Sequence, residues 1–389
     1  MRRVLVSLLL IGVVVAMFLQ APAVSVASAA EIRIGVLVPL TGFIAFYGKM
    51  QEAALRLAEK EFAKLGPTGG FDLKFIVYDT GSKTQDAILM AQKLINTDKV
   101  HMIVGPLLSG ETEQVFPIAN REKIVAVTAA SAKPGLTAAN RPWTFRTIMT
   151  SDKIDEPTMK AWIQQKNIKT VAIITDIKQK VTESFGKDIA PAILKKYGVK
   201  IIEDITFATD DIDFSGQVTK IKAANPDGVV LAGDYTGSAN IAREMKKQGL
   251  HKPMVGDVPV SQQEFIKLGG DAVEGVYAPT DFWLGNPDPK VQAFIKKFKE
   301  FYGPDKDPHT TTACFYDTLY ATRYIIGKAG LSGKPSDLQA DRDKIRNGWA
   351  NLKEFNGEAT GKMDMDKDGD AWRAVFALVV KGGQWVKLP

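Results

Sequence analysis

From residue 31 onward, short and almost wholly apolar runs alternate with longer segments of helical period. No other feature of the chain restricts its fold as tightly. The runs Ile32–Leu40, Leu73–Asp79, His101–Gly105, Ile124–Ala130, Thr170–Asp176, Lys200–Phe207, Gly228–Tyr235, Met254–Val258 and Gly275–Asp281 read as strands. Several lack the alternation of a half-exposed strand, which marks strands covered on both faces of a parallel sheet. Between them, Met50–Leu65 carries Met50, Ala54, Leu57, Ala58, Phe62 and Leu65 on one helical stripe. Asp86–Ile95, Glu111–Arg121, Asp155–Gln165, Phe185–Tyr197, Phe214–Ala224 and Ala239–Gln248 read the same way. Such alternation predicts an α/β architecture with right-handed crossovers. It runs twice, over 31–148 and over 151–278, with Phe145–Asp152 as an extended join. Two lobes of similar build place a small-ligand cleft between them. A third section holds helical patterns at Val291–Tyr302 and Thr311–Ala329. The chain closes on a hairpin, Ala371–Val380 and Gln384–Leu388 about Gly382-Gly383.

The first thirty residues stand apart. Arg2 and Arg3 precede an apolar run from Val4 to Phe18, and Val26-Ala27-Ser28-Ala29-Ala30 ends it with small residues. That is the anatomy of a secretory signal cleaved near Ala29 or Ala30. The run is short of the ~20 residues of a bilayer span. No cysteine follows it to carry a lipid, so an exported chain, not inserted in a membrane, is expected. The length of 389 residues allows two or three domains. Cys314 is the only cysteine, which excludes an intrachain disulfide and a zinc site built on several thiolates. His101, His251 and His309 lie far apart, so no metal is expected. Basic residues number 50 against 44 acidic ones, with two of the basic residues in the leader. That small excess does not call for nucleic acid as a partner.

The chain carries neither a GxSxG elbow nor a GxGxxG fingerprint, and no nucleophile–base pair stands out. A binding protein without cofactor is therefore expected rather than an enzyme. The loop Gly42–Met50 follows a strand and opens a helix, but its spacing is one residue too long for a phosphate loop, and Met50 stands where Ser or Thr is needed. Asp364-Met365-Asp366-Lys367-Asp368-Gly369 begins like a calcium loop, yet the position of the closing Glu is Val375; an acidic turn is the simpler reading. In Val104–Thr112 a strand ends and Ser109 reads as the N-cap of the next helix. A helix start with a free hydroxyl can hold a carboxylate through Ser109 and the amides beside it, Gly110 included. A second strand end, Thr128–Pro134, carries the small residues Ala130, Ser131 and Ala132, which let backbone approach a ligand closely or simply pack tightly.

At these residues the chain resembles the solute-binding proteins of ABC importers, in the branch of the leucine/isoleucine/valine-binding proteins. The resemblance covers essentially the whole mature chain. It rests on Ile34–Gly42 with Tyr47-Gly48, Tyr78-Asp79, Val104-Gly105-Pro106 with Ser109, Thr128-Ala129-Ala130 with Pro134 and Leu136-Thr137, Phe145-Arg146, and Phe214-Ser215. It implies a periplasmic, monomeric protein whose two lobes, joined by three hinge crossings, close on a small organic ligand for delivery to an inner-membrane permease. The implied division is 1–30 leader, 31–148 with 280–357 as one lobe, and 149–279 with 358–389 as the other. A ligand-sensing receptor domain shares this fold and is the alternative from another class.

Carried over residue by residue, the family's site gives a mixed result. Ser109 matches the serine that binds the ligand carboxylate, Ala130 a backbone contact, and Tyr47 and Tyr235 aromatic wall positions. A threonine that touches the ligand's polar head appears as Ala132. The acidic partner of a ligand ammonium falls on Val258, with Asp257 one residue away. The family's disulfide positions fall on Ser82 and Leu108, so that bridge is absent. A buried ammonium needs an anion. With Val258 in that place, an aromatic carboxylate such as a benzoate or phenylpropenoate ranks first and a branched-chain amino acid second. Phe43, Phe46, Tyr47 and Tyr235 would pack the ligand body, and Lys180 or Asp234 would bond a ring substituent.

Overall fold

The computed structural model describes residues 30–389. The expected export signal lies outside the described residues, apart from Ala30 at its end. Five strands form the first sheet: β1 (Ala30–Val38), β2 (Phe71–Asp79), β3 (Met102–Val104), β4 (Val125–Thr128) and β5 (Thr144–Arg146). All pair in parallel in the order β2-β1-β3-β4-β5. On β1, Ile32, Ile34, Val36 and Val38 point to one face and Leu37 to the other, and each is fully buried. This explains the absence of polar alternation in the strand. Each such side chain contributes roughly 1.5–3 kcal/mol over its exposed state.

A second sheet is built from β6 (Thr170–Asp176), β7 (Lys200–Phe207), β8 (Gly228–Ala232), β9 (Met254–Gly256) and β10 (Tyr277–Thr280). A small ribbon follows: β11 (Phe355–Asn356), β12 (Lys362–Met365) and β13 (Ala371–Trp372). The chain then adds β14 (Phe376–Lys381) and β15 (Gln384–Lys387) to the second sheet, whose order is β15-β14-β10-β9-β8-β6-β7. β14 runs antiparallel to β10. Gly382 and Gly383 both take positive φ, as a two-residue hairpin turn requires.

Both sheets are thus doubly wound α/β layers, each with its order reversing beside the first strand of its lobe. Ligands of such folds lie outside the carboxyl ends of the strands at that reversal. Helices Ala45–Leu65, Thr84–Asn96 and Ser109–Arg121 cover the first sheet, with Pro289–Tyr302, Thr310–Lys328 and Leu338–Ala350 added from the third section. Helices Ser151–Lys166, Ser215–Ala224 and Tyr235–Lys247 cover the second. Among the described residues, no helix is long and apolar enough to cross a membrane.

Three departures from the sequence expectation have physical causes. Leu338–Ala350 was not anticipated, because only Ile345 and Trp349 carry its apolar stripe among charged neighbours. The segment Phe185–Tyr197 is not one regular helix: Lys180–Ser184 leads into a wide turn at Phe185–Ile189 before Ala190–Lys196. The third crossing also moves. Ala359, Met363, Met365 and Ala371 sit in the core of the first lobe, which draws residues 358–372 there and puts the crossing near 373–375 instead of at 357–358. Ala371 accordingly belongs to the ribbon and not to the final hairpin.

The crossings hold buried charge. At the first, the Met149 amide donates to Asp281 Oδ2 on the second, at 3.2 Å. Arg373, on the third, lies 3.6 Å from Asp317. Asp317 also accepts from the amides of Glu358, Ala359 and Thr360 at 2.7, 2.9 and 2.8 Å.

Candidate functional site

The carboxyl ends of the two sheets face each other across a cleft. From the first lobe, the loop after β1 supplies Ile44 and Tyr47, the loop after β3 supplies Leu107, Leu108 and Ser109, and the loop after β4 supplies Ala130 and Ala132. Ile148 enters from the first crossing and Thr311 from the start of helix Thr310–Lys328. From the second lobe come Gln179 and Val181 after β6, Asp234 after β8, and Asp257, Val258, Pro259 and Gln262 after β9.

The loop after β3 begins at Gly105. Its φ of +107° and the 2.2 Å between a built Cβ and the Leu37 carbonyl leave room for no side chain. The chain then reaches helix Ser109–Arg121, where Leu108, not Ser109, occupies the cap position. Ser109 is instead the first helical residue. Its hydroxyl is buried and has no hydrogen-bond partner, in the ring of free amides that opens the helix. From the loop after β4, Ser131 bonds Thr112 Oγ1 at 2.5 Å and the Leu107 carbonyl at 3.0 Å, which ties the two site loops together. The buried Arg146 supports the same loop by donating to the carbonyls of Ser131 and Lys133, at 2.7 and 2.6 Å, while its Nε pairs with Asp370 at 2.9 Å. The Phe145-Arg146 pair therefore shapes the site from behind.

On the opposite wall, Asp257 is fully buried. Its Oδ1 accepts the Val258 amide at 2.5 Å, and the Asp155 carboxyl and the Ser151 hydroxyl face the rest of the carboxylate. Burial lifts Asp257 to about 6, and lifts Asp155 well above the usual carboxylate range with the Asp257 charge adding to it. Asp234 caps helix Tyr235–Lys247 by accepting the Gly237 amide at 2.8 Å, and burial raises it too. Beside Ser109, burial pushes Glu111 up to about 7. The wall thus presents carboxyl groups in want of a cation or a hydroxyl donor.

Seven of the twelve expected site residues line this cleft: Tyr47, Ser109, Ala130, Ala132, Asp234, Asp257 and Val258. The other five stand around it. Ser131 turns away to the loop tie just described. Tyr235 packs edge-on to Tyr47, centroids 5.9 Å apart. Phe43 is 57% exposed outside the mouth. Lys180 pairs with Glu183 at 2.7 Å, and a Cβ built on Gly110 would lie 3.5 Å from Lys180 Cγ. The Tyr47–Tyr235 and Gly110–Lys180 approaches join opposite lobes, so the cleft is shut. Gln179, Gln262 and Thr311 were missed, and so were the apolar positions. Position after a strand end was the signal for Gln179, but Thr311 comes from a helix start distant in sequence.

The comparisons agree with this geometry. The profile of the family described as "Periplasmic binding protein" matches residues 31–384. A leucine-, isoleucine-, valine-, threonine- and alanine-binding protein of Pseudomonas aeruginosa is 28% identical over 349 residues, 88% of either chain. The crystal structure of a leucine-binding protein from Thermotoga maritima superposes with a TM-score of 0.81 at 26% identity, over 92% of this chain and 98% of that one. A solute-binding protein of an ABC transporter from Rhodopseudomonas palustris, solved with 3,4-dihydroxybenzoic acid, gives 0.81 at 21% identity, over 92% and 96%, a likeness of fold alone. With two doubly wound lobes, a cleft at their strand ends and a profile match over residues 31–384, the chain belongs to the type I periplasmic binding proteins, in the leucine/isoleucine/valine-binding branch of ABC-transporter solute-binding proteins.

Proposed function

We propose that this protein captures a small apolar α-amino acid in the periplasm and delivers it, as a monomer and without covalent chemistry, to an inner-membrane permease. One observation carries the reading. Two buried groups of opposite need, Ser109 Oγ and Asp257 Oδ2, both lack a well-formed hydrogen bond, Asp257 having only Asp155 and Ser151 beside it, and their residues line one cavity from opposite lobes. A zwitterion satisfies both at once. Its carboxylate meets the Ser109 hydroxyl and the amides of the helix start, and its ammonium meets Asp257. Ile44, Leu107, Ile148, Val181 and Val258 suit an aliphatic body. The sequence ranked an aromatic acid first because Val258 took the acid's place. In the folded chain Asp257 and Val258 both line the cleft, which supports the opposite order. Leucine-type binding by the 28%-identical relative is consistent with the reversal.

An aromatic carboxylate remains the second reading. It is favoured by the cluster of Phe46, Tyr47, Tyr235 and His309 rings at the cleft wall, with centroids 4.9–6.2 Å apart. A thermal-shift screen separates the two. The mature chain is unfolded and refolded to strip carried ligand, then exposed to branched-chain amino acids, substituted benzoates and phenylpropenoates. A ligand at 100 times its Kd adds about 2.7 kcal/mol. A raised Tm with L-leucine or L-valine is expected; a rise with benzoates alone would replace the amino-acid reading by the second one.

A further inference from the structure

Beside the ligand cavity the lobes meet again, through groups that ligand capture does not use. His309 ends the loop before helix Thr310–Lys328 of the first lobe, and Glu264 sits on helix Gln263–Gly269 of the second. His309 Nε2 and Glu264 Oε2 are 3.2 Å apart, with the imidazole side chain 2% exposed and the carboxylate 21%. Behind them, Lys267 of the second lobe reaches Asp307 of the first at 3.7 Å and Glu264 at 3.6 Å. Lys299 holds Asp307 from its own lobe at 3.0 Å. Burial alone would raise Glu264; His309 and Lys267 outweigh it and hold the carboxyl below its ordinary value. The His309 ring also stands edge-on to Phe46 and Tyr47, with centroids 4.9 and 5.3 Å away. Tyr47 is itself a wall of the cavity.

We propose that the Glu264–His309 pair, backed by Lys267–Asp307, is an inter-lobe clasp that favours the closed form. The members of each pair belong to different lobes, so both contacts exist only when the lobes are shut. A contact made in one state alone shifts the equilibrium by its own free energy. This pair is also better shielded from water than a surface ion pair, which is worth ~1 kcal/mol or less. His309 and Tyr47 lie on the same lobe, so Glu264 of the other lobe grips the imidazole that already packs against this cavity wall. The inference does not depend on which ligand is carried.

The test uses the ligand-free mature protein with spin labels at K49C and I212C, one exposed position in each lobe. Cys314 is fully buried and out of the label's reach. Pulsed dipolar spectroscopy then reads the ratio of short to long inter-label distances. A short-distance population is expected in the otherwise unaltered chain. E264Q should lower the closed-to-open ratio about tenfold, H309Q by a similar factor, and E264Q/H309Q no further than either single change. K267M should lower it by a smaller factor. Melting temperatures report whether each variant is folded. Should H309Q fail to fold, E264Q and K267M decide the matter, since both alter partly exposed side chains. An E264Q ratio within twofold of the parent, single effects that simply add, or a wholly open parent would each overturn the clasp.

Discussion

Asp257→Asn tests the amino-acid reading at the atom on which it rests. Asp257 is fully buried, and its Oδ1 takes the Val258 amide at 2.5 Å. An asparagine keeps that bond through its carbonyl oxygen. Its amide nitrogen then occupies the place of Oδ2 and donates to Asp155, so the fold is preserved. The facing carboxyls no longer share a site, and the ligand-free Tm should stay level or rise. The ligand fares differently, because its ammonium loses a buried anion and meets an N–H donor. Truncating one member of a buried charged pair costs about 2–5 kcal/mol. At 1.4 kcal/mol per decade, even the lower half of that range weakens binding ~30-fold or more. Isothermal titration at pH 7 with L-leucine and with 4-hydroxybenzoate reads the outcome. Leucine affinity within threefold of the parent, in a variant that stays folded, would refute the role given to Asp257. The same conclusion follows if 4-hydroxybenzoate binds both forms equally and leucine binds neither.

Three further outcomes follow from the same geometry. Ser109→Ala should weaken binding of any carboxylate ligand by roughly 1–3 kcal/mol, since it removes a buried hydroxyl from a charged group; equal Kd values by titration would move the carboxylate elsewhere. Stability should fall as pH rises from about 4 to 7. Burial lifts Glu111 to about 7 and Asp257 to about 6, so the native chain keeps protons that the unfolded chain has released. Glu111 alone accounts for roughly 3 kcal/mol above that window; E111Q should flatten the urea-midpoint profile, and an unchanged slope would count against this account. Asp317→Ala strands three amides and leaves Arg373 without its carboxylate, so a loss of about 3–5 kcal/mol is expected from denaturant midpoints.

The lobes were legible because the central strands of both sheets are buried on both faces. Thr170–Asp176 and Lys200–Phe207 appear with their expected bounds, the first as a buried apolar run and the second as a β-branched edge strand with Lys200, Glu203 and Asp204 among its residues. The strand-end loops were legible for the same reason, and they deliver most of the site. What the sequence hid lies in contacts between distant segments. Thr311 enters the cleft, and His309 stands beside it, from the third section, some 260 residues after Tyr47 in the chain. Met363, Met365 and Ala371 read as the approach to a final hairpin, and only their packing shows that the first lobe keeps them. Ser131 lay in a small-residue loop whose backbone and side-chain uses are indistinguishable in one dimension. Its bonds to Thr112 and Leu107 settle which applies.

The sequence sets Asp257 and Val258 as alternatives for one position, and the fold removes the need to choose between them. In an extended strand, adjacent side chains point to opposite faces, so an acid at 257 and a valine at 258 would exclude each other from one cavity. The strand ends at Gly256, however, and Val258–Ser261 winds into a tight helical turn capped by Asp257 itself. The turn brings consecutive residues to the same wall. The capping bond uses Oδ1 alone, which leaves Oδ2 for the Asp155 carboxyl and the cavity. A cap that spends one oxygen and an anion that offers the other are compatible in a carboxylate, whereas serine, with a single oxygen, would have to choose. Asn at 257 would hold the turn and abolish the charge, which is why that substitution separates architecture from recognition.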